Sequence, residues 1–278
     1  MKKTVLLVVS PDDEYMSCVA RRAKSKGLVD EVVSSSDTPE SFAAAVSGVS
    51  SDKNLIIAKG LIETAAFMRL VIGYDDKALI KGGRDGFVSH CFILEKKCAL
   101  PLPRMFRARP TVLTDAAINI SPTAEQKVKI AQNAVDLARN MLGIRYPVLS
   151  ILTAAGKEHP KIQSSLDGKW IIENGLIHGA DVRLDQFDTA ISIDARRLKK
   201  LGGGLADIML VPNLDSGNPL YKAQAMRAGY RAAGLVLGCT VPLVLNSRFD
   251  SVKSKLLSIR YAKKLFDYPP KNLNENNE

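Results

Sequence analysis

The sequence is poor in aromatic side chains, which make up 6% of its 278 residues and include a single Trp, and it holds only three His and four Cys. Each scarcity excludes a class of protein. Nucleic-acid surfaces interleave aromatic with basic residues, and this chain shows neither that pattern, nor a basic tail, nor a recognisable nucleic-acid motif. His90, His159 and His178 lie far apart, and none has metal-ligand spacing to a second His or to a Cys, so no metal site is expected. Cys18, Cys91, Cys98 and Cys239 form no Cys-x-x-Cys pair and sit among apolar neighbours, as reduced thiols of the cytoplasm do. No apolar run approaches the roughly 18 residues of a membrane span. The first ten residues, MKKTVLLVVS, make a poor secretory signal, because the apolar stretch is five residues long and Pro11, Asp12, Asp13 and Glu14 follow it. They read as a buried first strand of a cytoplasmic protein.

Several catalytic signatures are missing as well. There is no G-x-S-x-G elbow, no G-x-x-x-x-G-K-[ST] loop and no G-x-G-x-x-G after the first strand, which removes support for hydrolase, P-loop and Rossmann readings. The run Gly202, Gly203, Gly204 reads as a flexible loop rather than a phosphate nest.

What is present is basic charge and a strong apolar pattern. Lys and Arg number 39 against 29 Asp and Glu, a net charge of +10. The basic residues are dispersed, which suits a phosphorylated small molecule better than a polyanion. Residues 96–109 and 251–266 each carry five basic residues and no acid, and both read mainly as solvated faces. The hydrophobic content of 46% fills one large core or two modest ones.

Short apolar runs alternate with helical patterns, the mark of an α/β protein with mostly parallel strands. Strands are expected at 4–10, 30–34, 54–58, 87–94, 147–153, 206–211, 233–237 and 241–246. A helix over 123–142 follows from Val128, Ala131, Val135, Ala138 and Leu142 at spacings of three and four, with Ser121-Pro122 as its start and Gly143 as its stop. A second is expected from Asp215 through Pro219 toward Gly234, and a last from Asp250, with Val252, Leu256, Ile259 and Phe266 on one stripe. Residues 269–278 read as a disordered polar tail.

The corner VLNSRFDSVKSK at 244–255 is the most informative segment, since a strand runs into Ser-Arg at the mouth of a helix. Asn246 or Ser247 is expected to cap that helix, and Arg248 adds a planar fork suited to phosphate. Lys59-Gly60 follows another buried strand, at the edge where open α/β sheets bind ligands. Thr64 falls in the first turn of the next helix and Arg69 one turn on. At 207–222 a strand passes through Pro212-Asn213 into a helix, with Asp215 or Ser216 as its cap and Gly217 permitting close approach to a ligand.

These corners, with LTDAAINISP at 113–122, resemble the phosphate acetyl/butyryltransferase family, its butyryl branch most closely. The family pattern A-D-I-L-L-V-P-x-x-x-x-G-N-x-x-Y-K is matched at Asp207, Pro212, Gly217, Asn218, Tyr221 and Lys222. Asn119, Pro122, Pro160 and Lys161 match other family segments, so the resemblance runs over about residues 54–266. It implies an α/β fold of two α/β/α lobes with a cleft between them, isocitrate/isopropylmalate dehydrogenase-like. One lobe then holds 1–120 plus 237–278, and the other 121–236.

The resemblance also implies reversible acyl transfer, acyl-CoA plus phosphate giving acyl phosphate plus CoA, with coenzyme A as a substrate and no metal or redox cofactor. On that pattern Ser247, Arg248 and Asp250 are catalytic, and Arg69, Arg248, Lys59 and Thr64 bind phosphate. Asn119, Lys161, Asp188, Gly217, Asn218 and Lys222 line the substrate and CoA cleft. The partners are acyl-CoA, phosphate and acyl phosphate, with neither nucleic acid nor membrane, and the assembly is a homodimer.

Two departures stand out. The acetyl branch has an aspartate, taken as the base, where this chain has Ser254, a substitution shared with the butyryl pattern S-R-x-D-S-x-x-S-K; the base is Asp250 or an unidentified residue. Where butyryl members carry D-G-P-L-x-L-D-N-A, this chain reads GADVRLDQFDTAIS, keeping Asp188 but losing the Gly-Pro. That change fits a reshaped acyl pocket or a paralogue that binds CoA or acyl phosphate without turnover.

Overall fold

A computed structural model of the chain describes residues 2–10, 14–82, 86–96, 109–155, 157–186 and 206–267. Ten strands and seven helices are described. The strands are β1 (Thr4–Val9), β2 (Glu31–Ser35), β3 (Asn54–Lys59), β4 (Ser89–Lys96), β5 (Thr111–Thr114), β6 (Val148–Thr153), β7 (Asp181–Gln186), β8 (Ile208–Leu210), β9 (Tyr230–Leu237) and β10 (Leu243–Val244). The helices are α1 (Glu14–Ser25), α2 (Pro39–Ser47), α3 (Thr64–Gly73), α4 (Ala124–Asn140), α5 (Gln163–Asn174), α6 (Leu214–Met226) and α7 (Val252–Lys264).

All ten strands join one sheet in the order β2-β1-β3-β10-β9-β4-β5-β8-β6-β7. Six pairings are parallel and three antiparallel. The expectation of parallel strands therefore holds on both flanks, while β9 and β4 reverse the direction in the middle. Helices cover both faces, giving an α/β fold in three layers. Strand alternation sends Leu6, Val8, Ile56 and Ala58 to one face, where they pack with α1, α4, α5 and α7. Leu7, Val9, Leu55 and Ile57 go to the other, under α2 and α3. On that same face Phe92, Leu94 and Met209 pack beneath Tyr221 of α6.

Local sequence explains most element ends. Thr123 opens α4 with a full capping box, its hydroxyl accepting from the Gln126 N–H while the Gln126 side chain accepts from the Thr123 N–H. Gly143, at φ +72°, ends the segment as expected. Other ends depart from expectation. The helix begun near Asp215 stops at Met226, because Gly229 at φ +73° turns the chain into β9, which starts at Tyr230. Its cap is Asn213, accepting from the Ser216 N–H at 3.0 Å, and neither Asp215 nor Ser216. The last helix starts at Val252 with Ser251 as its cap, so neither Asn246 nor Ser247 caps it. β5 and β7 were not anticipated. Asp188, Cys98, the Gly202–204 run, most of 96–109 and the tail 269–278 lie outside the described residues.

Candidate active site

A cleft of about 510 Å³ opens on the α3 and α6 side of the sheet, above Phe92. Its walls come from three corners: Lys59, Glu63, Thr64 and Ala65 after β3; Leu214, Asn218, Tyr221 and Lys222 on α6; and the segment Leu245 to Phe249 after β10. Lys59 ends a strand of six residues whose last five are buried, which carries its ammonium to the cleft at only 6% exposure. Nζ donates to the Ile62 carbonyl at 2.6 Å and to the Gly60 carbonyl at 3.3 Å. Burial, and then the positive charges of Arg248 and Lys255, draw its pKa down to about 8, with Glu63 opposing.

Arg248 is exposed and comes no nearer than 3.9 Å to Glu63, an exposed pair that binds weakly and leaves the guanidinium available to an anion. Thr64 and Ala65 form the first turn of α3, whose N-cap residue Glu63 makes no side-chain capping bond. The uncapped N–H groups and the helix dipole at this end favour negative charge. The helix N-terminus beside the cation pair thus belongs to α3. The Ser-Arg corner was expected to lie on its own helix terminus, yet Ser247 and Arg248 sit in the turn before α7.

That turn is fastened by Asp250. Its carboxylate, 7% exposed, accepts from the Tyr221 hydroxyl through Oδ1, and through Oδ2 from Asn246 Nδ2 at 2.9 Å and the Ser247 N–H at 3.0 Å. Its own N–H donates to the Ser247 carbonyl at 3.1 Å, and its carbonyl accepts from the Tyr15 hydroxyl at 2.7 Å. Tyr221 in turn stacks flat on Phe92, with ring centroids 3.6 Å apart and planes 1° from parallel. Burial and the Asp250 charge push the Tyr221 phenol well above its ordinary pKa, so it stays a hydrogen donor.

The fold gathers Lys59, Thr64, Asn218, Lys222, Ser247 and Arg248 on the cleft, with Asp250 just behind its wall. Other candidates stand elsewhere. Arg69 is exposed on α3, four residues beyond Ala65, and is outside the lining. Lys161 is exposed before α5, also outside the lining. Asn119 bonds the Asp115 carboxylate at 2.7 Å and the Val88 carbonyl at 3.1 Å, which frames the loop after β5. Gly217 packs against protein: a Cβ there would meet Val211 Cγ2 at 2.6 Å and Ala116 Cβ at 3.0 Å. His90 is fully buried, with Nε2 bonded to the Leu245 carbonyl at 3.0 Å and a pKa lowered by burial, as a structural residue.

Sequence reasoning did not find Phe92, Glu63 or Phe249 for the cleft, and it treated Tyr221 only as a motif residue. Phe249 is 81% exposed beside Arg248, a large apolar group whose exposure no local pattern reveals. Among the described residues no group of three or more His, Cys, Asp and Glu is placed to hold a metal ion, and no helix is long and apolar enough to cross a membrane.

A family model described as Phosphate acetyl/butaryl transferase matches residues 5–262. The chain belongs to that family. It is 29% identical to the phosphate butyryltransferase of Clostridium acetobutylicum over 94% of this chain and 92% of the relative. It is 33% identical to the phosphate acetyltransferase of Rhizobium meliloti over 92% of this chain and 79% of the relative. The fold is shared with the crystal structure of a branched-chain phosphotransacylase from Enterococcus faecalis, at a TM-score of 0.75 and 24% identity, covering 95% of this chain and 99% of that one. The family makes the chain an acyltransferase enzyme, with butyryl and acetyl types both among its relatives.

Proposed function

We propose that this chain transfers a short acyl group reversibly between coenzyme A and inorganic phosphate, with butyryl-type thioesters preferred over acetyl. The observation that carries the reading is the meeting of Arg248, Lys59 and the uncapped N-terminus of α3 on one cleft. Two cations and a helix terminus suit a dianion, and Arg248 offers a two-pronged fork where Lys59 offers a point charge.

In the direction of acyl phosphate, a phosphate oxygen attacks the thioester carbonyl carbon. The C–O bond forms, the C–S bond breaks, and the CoA sulfur leaves as thiolate. In reverse the thiolate attacks the acyl carbonyl and phosphate departs with the C–O electrons. Arg248 and Lys59 hold the phosphate in both directions, and Ser247 with the α3 N–H groups stabilises the developing charge. Asp250 holds the corner, its buried carboxylate accepting from the Tyr221 hydroxyl, the Asn246 amide and the Ser247 N–H. The scheme uses no metal or redox cofactor. It is completed by a cytoplasmic homodimer acting on acyl-CoA, phosphate and acyl phosphate, with the apolar Phe249, Leu214 and Ala65 beside the reacting groups.

The test is release of free thiol from acetyl-, propionyl-, butyryl- and isobutyryl-CoA in phosphate buffer. The expected outcome is phosphate-dependent release, fastest with the four-carbon thioesters. Release fastest with acetyl-CoA would reverse the chain-length assignment, and no release from any of the four would mark a chain that binds without turnover.

A further inference from the structure

Four buried side-chain atoms among the described residues lack a hydrogen-bond partner: Ser35 Oγ, His90 Nδ1, Arg231 Nε and Asn246 Oδ1. Only Asn246 also lines the cleft, where it is 5% exposed and adjoins Ser247 and Arg248. Which end of an amide carries oxygen is decided by its partners. Here the partner is decisive, because Asn246 faces Asp250 Oδ2 at 2.9 Å and a carboxylate accepts only. The NH2 end must therefore point at Asp250. The same oxygen is shared with the Ser247 N–H, and the opposite oxygen is occupied by the Tyr221 hydroxyl, so the carboxylate is fixed and the amide is fixed by it. What remains is a buried acceptor, held in one orientation, on a residue of the cleft wall that also carries the Lys59 and Arg248 cations and the Glu63 carboxylate.

An unsatisfied buried acceptor is costly, and a ligand that supplies a hydrogen removes the cost. Among tetrahedral dianions the hydrogen is the discriminating feature. Hydrogenphosphate and sulfate match in charge and nearly in size, but the first carries one O–H and the second carries none. Resting on the reading that phosphate sits at the Arg248 corner, we propose that Asn246 Oδ1 accepts the O–H of hydrogenphosphate and makes this cleft select phosphate over sulfate. A sulfate placed there sets an oxygen against the amide oxygen and leaves both without a donor. A site built to hydrogen-bond one group rejects the analogue that lacks it far more strongly than a size match does.

The test measures the affinity of the whole protein for inorganic phosphate, arsenate and sulfate at pH 8 and constant ionic strength. The readouts are the rise in melting temperature with each anion and inhibition of thiol release by sulfate. The expected preference for phosphate and for arsenate, which also carries a proton, over sulfate is about ten-fold or more. Asn246→Ala should reduce it to within about three-fold by weakening phosphate and arsenate. Asp250→Asn provides a second route, since its amide can face Asn246 either way and releases the orientation; the preference should again shrink. Arg248→Ala should weaken all three anions alike. Equal binding of sulfate and phosphate by the unaltered protein overturns the proposal with no variant needed, as does an undiminished preference in Asn246→Ala. Anion binding indifferent to Arg248→Ala would instead remove the phosphate corner itself, and this inference with it.

Discussion

Lys59 should impose a pH limb on phosphate binding that a surface lysine would not. The residue is 6% exposed, its ammonium is tied to two carbonyls, and it holds its proton with a pKa of about 8 because burial and the nearby Arg248 and Lys255 charges disfavour the charged form. Bound phosphate favours the ammonium, so binding takes up a proton once the free lysine has lost its own. With one proton linked to binding, affinity falls by a factor approaching ten per pH unit above that pKa, which gives about 25-fold between pH 7.5 and pH 9.5. The second ionisation of phosphate lies below this window and contributes little to the slope. The assay is the phosphate KM, or the dissociation constant from calorimetry, at half-unit steps. Lys59→Met should flatten the limb and weaken binding at pH 7.5 by roughly ten- to hundred-fold, the scale of one lost charge-assisted bond. Stability has its own sign. The unfolded chain keeps the ordinary lysine pKa of 10.5 and so binds more protons than the fold between about 8 and 10.5, and the phosphate-free protein gains stability as pH rises through that window. Lys59→Met should lose that gain. A flat phosphate profile to pH 9.5 in the unaltered protein, or the same slope in Lys59→Met, would refute the reasoning.

Arg248→Ala should cut turnover by roughly 10² to 10³ while the melting temperature stays within about 2 °C, and Arg248→Lys should recover little, because a point charge does not reproduce the fork. Tyr221→Phe should leave one Asp250 oxygen short of a donor and raise the phosphate KM several-fold; combined with Asp250→Asn it should cost less than the two separate losses summed, since they share one bond, and strict additivity in the double-mutant cycle counts against the linkage. Asp250→Ala should lower stability by about 3 kcal/mol or more by orphaning Tyr221, Asn246 and the Ser247 N–H, to be read from denaturant unfolding. Gly217→Ala should destabilise by about 1–3 kcal/mol, as its Cβ would press on Val211 and Ala116, with the phosphate KM unchanged.

The α/β class was legible because apolar alternation is a local signal: Leu6 and Leu7 take opposite faces of β1 whatever the rest of the chain does. Lys59 at a strand end and Thr64 in the first turn of α3 were legible for the same reason. β5 has four residues, too short to show a period, and β7 alternates charged with apolar residues inside a stretch that reads as a motif change. Asp250 was ambiguous in sequence, a catalytic carboxylate or a cap at the start of the last helix, and nothing local points to Ser251 as the cap instead. The choice rests on Tyr221, 29 residues earlier, which holds the Asp250 carboxylate inward and leaves Ser251 to cap α7. Gly217 was misread because close approach to protein and close approach to a ligand impose the same residue. The orphaned oxygen of Asn246 has no sequence signal, because its orientation follows from the Asp250 carboxylate, which is itself held by Tyr221 from another element.

The central claim is acyl transfer to phosphate at the Arg248 and Lys59 cleft, and one measurement addresses it directly: free thiol and acyl phosphate measured together from butyryl-CoA as phosphate is varied, with chelator present and no nicotinamide. The account predicts thiol release that saturates with phosphate, one acyl phosphate formed per thiol, and loss of both products in Arg248→Ala. Thiol released without phosphate, without matching acyl phosphate, or only after a divalent metal is restored would contradict it.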